Sequence, residues 1–194
     1  MRTPQLLSIL ATVIFVILVL TGQIDIPDVT SSPSSTKGML RDEALTALTA
    51  SSTATYKIVR VIDADTLVAS IGGMDVTLRL IGINTPEVVD PRKPVECFGR
   101  EASDRAKKLL TGQSIGIALD VSQGTYDTYN RLLAYVYLED GTFFNKAMVA
   151  DGYAHEYTYN LPYQFQSEFK AAETDARVHG RGLWSPSSCN GDPG

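Results

Sequence analysis

Five short runs rich in β-branched residues, with one helical pattern inserted after the third, constrain the fold of this chain more than any other feature. The runs cover residues 56–62, 66–71, 76–82, 114–120 and 132–138. The sequence GGMD between the second and third runs is typical of a hairpin turn. Strands that come first, with helices mostly later, favour an α+β domain over a doubly wound parallel sheet. Five strands with a helix after the third predict an OB-type β-barrel.

Three segments show the spacing of amphipathic helices, each followed by a glycine that ends it. Their apolar positions are Ala102, Ala106, Leu109 and Leu110 before Gly112; Phe144, Ala147 and Met148 before Gly152; and Phe165, Phe169, Ala172 and Ala176 before Gly180. We therefore expect about three helices around the barrel.

The N-terminus carries an apolar run over residues 6–20, which identifies residues 1–22 as a signal peptide or membrane anchor helix. The run is shorter than the ~20 residues that comfortably span a bilayer, but no small-x-small cleavage site follows it. Gln23 stands where a lipoprotein signal would need cysteine. An uncleaved anchor is favoured over a cleaved signal. Arg2 before the run predicts a cytoplasmic N-terminus and a domain outside the cytoplasm.

Residues 23–54 form a polar linker, because runs such as SSPSSTKG and SSTAT bury too little apolar surface to fold. Residues 40–50 predict at most a marginal local helix. The folded domain is expected over residues 55–194.

The formal net charge of −5 excludes a global basic field that would recruit an anionic polymer. Any nucleic-acid function must therefore depend on a local group of residues, helped by a bound cation that changes the sign of the site.

Charged and amide residues interrupt the strand patterns in two places, VIDADT and RLIGINTPE. Asp63 and Asp65 share one turn, which suits an oxygen-preferring cation such as Ca²⁺. Arg79 lies inside an apolar strand, so a carboxylate or a bound phosphate is expected beside it. Oxygen ligands and a carboxylate follow at the strand end, from Asn84, the Thr85 carbonyl and Glu87. Taken singly, these residues also fit ordinary turns and a structural ion pair.

A second arginine, Arg131, enters the fifth strand directly after a turn, in DTYNRLLAYVY. It is placed to face Arg79 across the mouth of the barrel. Two arginine forks, several hard oxygen ligands and a further glutamate are what phosphodiester hydrolysis requires.

The order of six motifs resembles the staphylococcal nuclease (thermonuclease) family over residues 56–185. The motifs are DADT, RLIGINTPE, FGREAS, DTYNRLLAYVY, AMVADGYA and GLWS. The resemblance implies a Ca²⁺-dependent extracytoplasmic nuclease that cleaves DNA and RNA with little sequence preference and leaves 3′-phosphate products. No protein partner is implied, and we expect a monomer.

The resemblance also implies residue roles. Asp65, Asn84 and the main-chain carbonyl of Thr85 would bind Ca²⁺, with Asp63 in support. Glu87 would orient or deprotonate the attacking water, and Arg79 and Arg131 would bind the scissile phosphate. The substrate pocket would be lined by Tyr129, Tyr157 and Tyr159, which could equally be ordinary strand and loop tyrosines. Arg92 and Lys93 resemble a basic loop beside the site.

The chain departs from the best-known family pattern at several positions. Asn84 stands where that pattern has aspartate, which removes a negative charge from the metal site, and Thr128 replaces a lysine. Neither His155 nor His179 lies among the carboxylates in sequence, and we give neither a catalytic role. Trp184 is expected to pack the C-terminal segment onto the barrel.

Cys97 and Cys189 are the two cysteines of the chain. An exported protein with one even pair is expected to oxidise it, which predicts a disulfide; two unrelated thiols are the competing interpretation.

Two alternative functions share the same fold. One is a catalytically weak or inactive nucleic-acid-binding OB module at the cell surface, which the combination of Asp65, Arg79, Glu87 and Arg131 disfavours. The other is a module that binds oligosaccharide or peptide, which would need no pair of converging arginines.

Overall fold

The described part of the chain contains seven strands, of which five close into a barrel. The computed structural model describes residues 42–46, 54–88, 90, 92 and 94–192. The strands are β1 (Thr55–Asp63), β2 (Thr66–Ile71), β3 (Met74–Leu80), β4 (Ile83–Asn84), β5 (Ser114–Ala118), β6 (Leu132–Leu138) and β7 (His155–Glu156). The barrel order is β1-β2-β3-β6-β5. The predicted five-stranded OB-type barrel is confirmed.

The strand register brings the two arginines to neighbouring positions. β2 and β3 are antiparallel and pair Thr66 with Arg79, which places Arg79 beside the end of the β1–β2 turn. β3 and β6 are parallel and pair Arg79 with Leu133, two residues after Arg131. The turn carboxylates and both arginines therefore gather at one end of the barrel.

The third strand is shifted by two residues from its predicted position of 76–82. Gly72 and Gly73 both have positive φ, 58° and 79°, so the turn occupies these two residues and Met74 already pairs with Ile71. The strand ends at Leu80, and Gly82 has a φ of 80°. A Cβ on Gly82 would lie 2.7 Å from the Tyr163 ring. Both the positive φ and this close approach therefore exclude a side chain at this position.

The three predicted helices are confirmed as α1 (Gly99–Leu110), α2 (Phe144–Ala150) and α3 (Gln166–Val178), followed by a 3₁₀ turn over Gly182–Trp184. α2 is fixed to the barrel by Asn145, which is fully buried. Its Oδ1 accepts the Val136 amide at 2.9 Å, and its Nδ2 donates to the Ile81 carbonyl at 2.9 Å.

β4 and β7 form a separate two-stranded sheet that the sequence patterns do not predict, since each strand has two residues. Asn84 pairs with His155 in this sheet. The pairing anchors the start of the segment that carries Thr85 and Glu87.

A second apolar cluster lies apart from the barrel core and contains Ala176, Leu183 and Trp184, with Phe98 and Cys189 packed against it. The Trp184 ring meets His155 edge-on at 4.8 Å and lies 4.0 Å from the Arg177 guanidinium. The expectation that Trp184 packs the tail onto the barrel is therefore wrong: it packs against α3 and β7.

The predicted anchor over residues 1–22 and most of the linker lie outside the described residues. Of the helix expected over 40–50, residues 42–46 are helical, and Ala44 is 2% exposed and belongs to the main core, so this segment is more than a local helix. Among the described residues, no helix has the length and apolar character needed to cross a membrane.

Candidate active site

Two buried aspartates occupy the turn between β1 and β2. Asp63 and Asp65 are 6% and 9% exposed. The Ala64 amide donates to Asp63 Oδ1 at 2.8 Å. Asp65 accepts the Thr66 hydroxyl on Oδ1 at 2.9 Å and the Thr85 amide on Oδ2 at 3.2 Å. The turn hydrogen bonds thus fix both carboxylates, and the Thr85 contact ties them to the segment after β4.

Burial and neighbouring acidic groups both act on the pKa of Asp63. Burial, together with the neighbouring charges of Asp65 and Glu87, raises the pKa of Asp63 to about 6, although amide hydrogen bonds from Ala64 and Val88 act in the opposite direction. Negative charge on Asp65 and Glu87 disfavours ionisation of the buried Asp63, so a positive charge would stabilise this acidic region of Asp63, Asp65 and Glu87.

Arg79 connects this acidic region to the rest of the site. Its Nη2 lies 3.3 Å from Asp65 Oδ2 and 3.4 Å from Asn84 Oδ1. Its Nη1 donates to the carbonyls of Leu80 and Ile83 at 2.8 and 2.9 Å. The carboxylate partner expected for an arginine inside an apolar strand is therefore Asp65. The side chain is 13% exposed, so the guanidinium is held in one orientation at the edge of the site.

The donor set that the structure offers to a metal consists of oxygens. Asp65, Asn84 and Thr85 lie together around Arg79, and Thr85 Oγ1 is buried without a hydrogen-bond partner among the described residues. No group of three or more His, Cys, Asp or Glu side chains suited to a metal occurs in the described part of the chain. Carboxylate and amide oxygens such as these suit a hard cation better than a soft one.

Glu87 lies in the segment after β4, with its carboxylate fixed by two backbone amides. Its Oε1 accepts the amides of Val88 and Asp90, both at 3.0 Å. These hydrogen bonds orient the side chain. The carboxylate of Glu87 is thus fixed in direction on the segment after β4.

Arg131 is oriented by Asp127, a residue that the sequence patterns did not single out. Asp127 Oδ2 accepts Arg131 Nε at 2.6 Å, while Oδ1 accepts the amides of Tyr129 and Arg131 at 2.9 Å. Asn130, with a φ of 64°, completes the turn. The spacing from aspartate to the amide two residues on is the signature of an Asx turn, a signal that could have identified Asp127.

The two arginines share a pocket of about 480 Å³. Tyr129, Tyr157 and Tyr159 also line it and are 79%, 42% and 70% exposed. The Arg131 guanidinium lies 5.3 Å from the centre of the Tyr129 ring, and the rings of Tyr157 and Tyr159 are 6.4 Å apart. Exposed aromatic rings beside guanidinium groups are suited to nucleotides, because rings stack on bases and arginine binds phosphate.

The predicted residues therefore form two groups rather than one. The pocket is lined by both arginines, Asn84 and the tyrosines, whereas its lining does not include Asp63, Asp65, Thr85 or Glu87. Arg79 joins the groups, since it lines the pocket and pairs with Asp65, and Asn84 lines the pocket and contacts Arg79.

Asp120 is a further buried acid that the sequence did not reveal, and it holds the wall of the pocket. It accepts the Tyr135 hydroxyl at 2.7 Å, the Gln164 amide at 2.8 Å and the Ser122 amide at 2.9 Å. Ser122 lines the pocket. The contact with Gln164 joins segments 44 residues apart, which no local pattern indicates.

The loop after Glu87 carries Arg92, which together with Lys93 resembles a basic loop beside the site. Its guanidinium pairs with Asp90 at 2.8 Å, and its side chain is 86% exposed. Its charge is thus partly offset within the loop, while Lys93 lies outside the described residues. Each histidine faces a carboxylate outside the acidic region: Nδ1 of His155 lies 3.7 Å from Glu173, and Nδ1 of His179 lies 3.1 Å from Asp175.

The predicted disulfide between Cys97 and Cys189 is present, with Cα atoms 5.9 Å apart. It joins the segment before α1 to the C-terminal tail.

An OB-type barrel with two arginines, oriented carboxylates and exposed tyrosines at one end defines the class of phosphodiester-cleaving enzymes. Within that class, the family model of staphylococcal nuclease homologues matches residues 77–186, and the chain belongs to this family. The match begins after β2, so Asp63 and Asp65 lie outside it.

Relatives agree with the family. The chain is 38% identical over 131 residues to a thermonuclease of Staphylococcus hyicus, which covers 68% of this chain and 76% of the relative. It is 36% identical over 129 residues to a thermonuclease of Staphylococcus intermedius, covering 66% and 75%. With endonuclease YncB of Bacillus subtilis it shares 32% identity over 129 residues, covering 66% and 60%. The chain is accordingly a nuclease.

Proposed function

We propose that this nuclease is Ca²⁺-dependent, hydrolyses DNA and RNA with little sequence preference and leaves 3′-phosphate products. The observation that carries the proposal is the position of Arg79, which contacts Asp65 at 3.3 Å and also lines the pocket that contains Arg131 and the tyrosines. A phosphate in contact with Arg79 would lie beside the acidic region, and its flanking bases would meet the aromatic rings.

The metal would be held by Asp65, Asn84 and the main-chain carbonyl of Thr85, with Asp63 in support. The oxygen donors and their contacts support this assignment, as does the buried Thr85 hydroxyl, which has no hydrogen-bond partner among the described residues. When bound, a divalent cation there supplies positive charge that polarises the phosphodiester and makes a neighbouring water more acidic.

Each residue of the proposed site has a separate role in the reaction. Glu87 accepts a proton from the attacking water, whose oxygen forms a new bond to phosphorus while the bond to the 5′-oxygen breaks. The 5′-oxygen takes a proton from solvent and leaves as a 5′-hydroxyl. Arg79 and Arg131 donate hydrogen bonds to the non-bridging oxygens, where negative charge grows in the transition state. Tyr129, Tyr157 and Tyr159 stack bases without reading their sequence.

The test is degradation of single-stranded DNA and of RNA by the purified chain, with Ca²⁺ and with chelator. We expect turnover with Ca²⁺, none with chelator, and at least a ~10²-fold loss in Glu87→Gln. Binding without cleavage across a series of divalent metals would instead favour the nucleic-acid-binding module, and the absence of both would favour the module for oligosaccharide or peptide.

We also propose that the enzyme works outside the cytoplasm, either attached to the membrane through its N-terminal segment or released after cleavage, and as a monomer. The apolar run over residues 6–20 and the disulfide support this, since disulfides persist in oxidising compartments. Protease added to spheroplasts should digest the domain, whereas protection until lysis would contradict this location.

A further inference from the structure

The backbone of Glu87 is joined to a second acidic residue, Glu96, by two hydrogen bonds. The Glu87 amide donates to Glu96 Oε2 at 2.8 Å, and the Glu96 amide donates to the Glu87 carbonyl at 2.9 Å. The two residues are nine positions apart, so these bonds close the base of the intervening loop. Both of these hydrogen bonds thus involve the backbone of Glu87.

The carboxylate of Glu87 depends on that backbone for its direction. Its Oε1 is held by the amides of Val88 and Asp90, which follow directly along the chain. A shift of the Glu87 main chain would move these amides and the carboxylate together. The position of Glu96 thus determines where the carboxylate of Glu87 lies.

Residues 96–99, which we call the brace segment, are themselves anchored at each position after Glu96. Cys97 is bonded to Cys189 in the tail. Phe98 packs against the cluster that contains Trp184, with its ring 5.5 Å from that of Tyr153. The brace segment is therefore fixed on the side away from Glu87.

The brace segment also packs closely against residues 86–88, as Gly99 shows. A Cβ at Gly99 would lie 2.8 Å from a methyl carbon of Val88 and 3.1 Å from the carbonyl oxygens of Pro86 and Glu87. Only glycine allows this approach without displacement of the neighbouring chain. The contact surface thus reaches both sides of Glu87.

We propose that Glu96 is a positioning residue for Glu87, and that the Cys97–Cys189 disulfide holds the brace segment in the place this requires. The inference rests on the proposed function, because it presupposes that Glu87 acts on the attacking water. Glu96 touches no substrate. Glu96 supplies an acceptor oxygen that fixes the Glu87 amide. The disulfide bonds the next residue, Cys97, to the C-terminal tail and so limits the movement of Glu96.

Substitution at Glu96 tests the positioning role through the split between kcat and KM. Glu96→Ala removes the acceptor and should lower kcat on the order of 10-fold while KM stays within about twofold, since a small misplacement of a reacting group affects the chemical step. Glu96→Gln keeps an acceptor oxygen and should recover most of the loss. A wild-type kcat in Glu96→Ala, or an equal loss in Glu96→Gln, would overturn the proposal.

A double-mutant cycle separates this inference from the proposed function. If Glu96 acts through Glu87, Glu96→Ala adds no further loss of kcat to Glu87→Gln; additive losses would overturn the positioning role. Wild-type turnover in Glu87→Gln would instead refute the proposed function. Glu101→Ala, which removes an exposed acid from α1, is the matched control and should leave kcat unchanged.

Removal of the disulfide is a second test of whether the brace segment positions Glu87. This test remains available if Glu96→Ala does not fold. The double variant Cys97→Ser/Cys189→Ser should lower kcat in the same sense as Glu96→Ala, and so should reduction of the wild type. Unchanged kcat in the folded double variant would overturn the role of the disulfide in holding the brace segment.

Discussion

The Arg79 guanidinium lies 3.3 Å from the Asp65 carboxylate, with each side chain about seven-eighths buried, at 13% and 12% exposure. Arg79 lines the pocket and Asp65 belongs to the acidic region, so the ion pair is where the two halves of the site meet. Truncation of either partner would leave a largely buried charge uncompensated, which is costly. The contact therefore serves the fold as well as the site.

The two arginines should differ in what their loss does to stability. Arg79→Ala removes the cation that pairs with Asp65 and the side-chain donor to the carbonyls of Leu80 and Ile83, whereas Arg131 bonds Asp127 and is 29% exposed. Both variants should lose at least ~10²-fold in kcat. Arg79→Ala should also lower Tm by about 5 °C or more, while Arg131→Ala changes Tm by less than about 2 °C. Thermal unfolding measured alongside turnover decides this, and equal Tm losses would contradict it.

Asn84 should limit the affinity of the site for its cation. Because ligand charge tunes Ca²⁺ binding, Asn84→Asp should lower the Ca²⁺ concentration for half-maximal activity on the order of 10-fold. Asn190→Asp introduces the same charge at an exposed position in the tail and should leave that concentration unchanged. The measurement is a Ca²⁺ titration of turnover at fixed substrate. A midpoint that does not move in Asn84→Asp would argue against Asn84 as a ligand.

Much of the site could be predicted because its residues break local patterns. Arg79 interrupts an apolar strand, and Asp63 and Asp65 interrupt the junction between two strands. Such interruptions are visible in a single sequence because a buried charge in a strand requires a partner. The five barrel strands and the three helices were predictable for the same local reason, from their periodicity.

The contacts that hold the site in place could not be predicted, because they join distant residues. The pair of bonds between Glu87 and Glu96 spans nine positions, and Asp120 reaches Gln164 across 44. β4 and β7 have two residues each, too few to show a period. The sequence around Trp184 does not indicate that the indole packs against α3 and β7, because these contacts involve distant residues. Tertiary contact decides such positions.

Asp120 should make the stability of the pocket wall depend on pH. Burial alone would raise its pKa, but hydrogen bonds from Gln164, Tyr135 and Ser122 lower it below the ordinary value of about 3.9. With a folded-state pKa below that of the unfolded chain, the stabilisation is fully present above the unfolded pKa and is lost as the pH falls through the folded pKa.

Asp120→Asn should consequently lower the free energy of unfolding at pH 7 by about 1–3 kcal/mol, with a smaller difference from wild type near pH 3. Urea unfolding at both pH values measures this. Asp140 is the control: its pKa is also lowered, by hydrogen bonds from Thr142, but it is exposed, and Asp140→Asn should have little effect at either pH. A difference for Asp120→Asn that is equal at pH 7 and pH 3 would contradict the assignment.

The disulfide should contribute to stability independently of its role beside Glu87. It closes a loop whose ends are 92 residues apart, which restricts the unfolded chain by roughly 4–5 kcal/mol in the loop-entropy model, although measured gains are often smaller. In the folded protein it also holds the tail that packs against Trp184, as Gly191 shows: a Cβ there would lie 2.6 Å from the indole ring. Cys97→Ser/Cys189→Ser should therefore shift the urea midpoint downward by an amount that reductant reproduces in the wild type.

Mass spectrometry of protein isolated without reductant provides the control, since two thiols alkylated in full under denaturing conditions would show that the bond does not form. If the wild type is shown to carry the disulfide and the double variant has the same urea midpoint, the loop closure does not stabilise the fold.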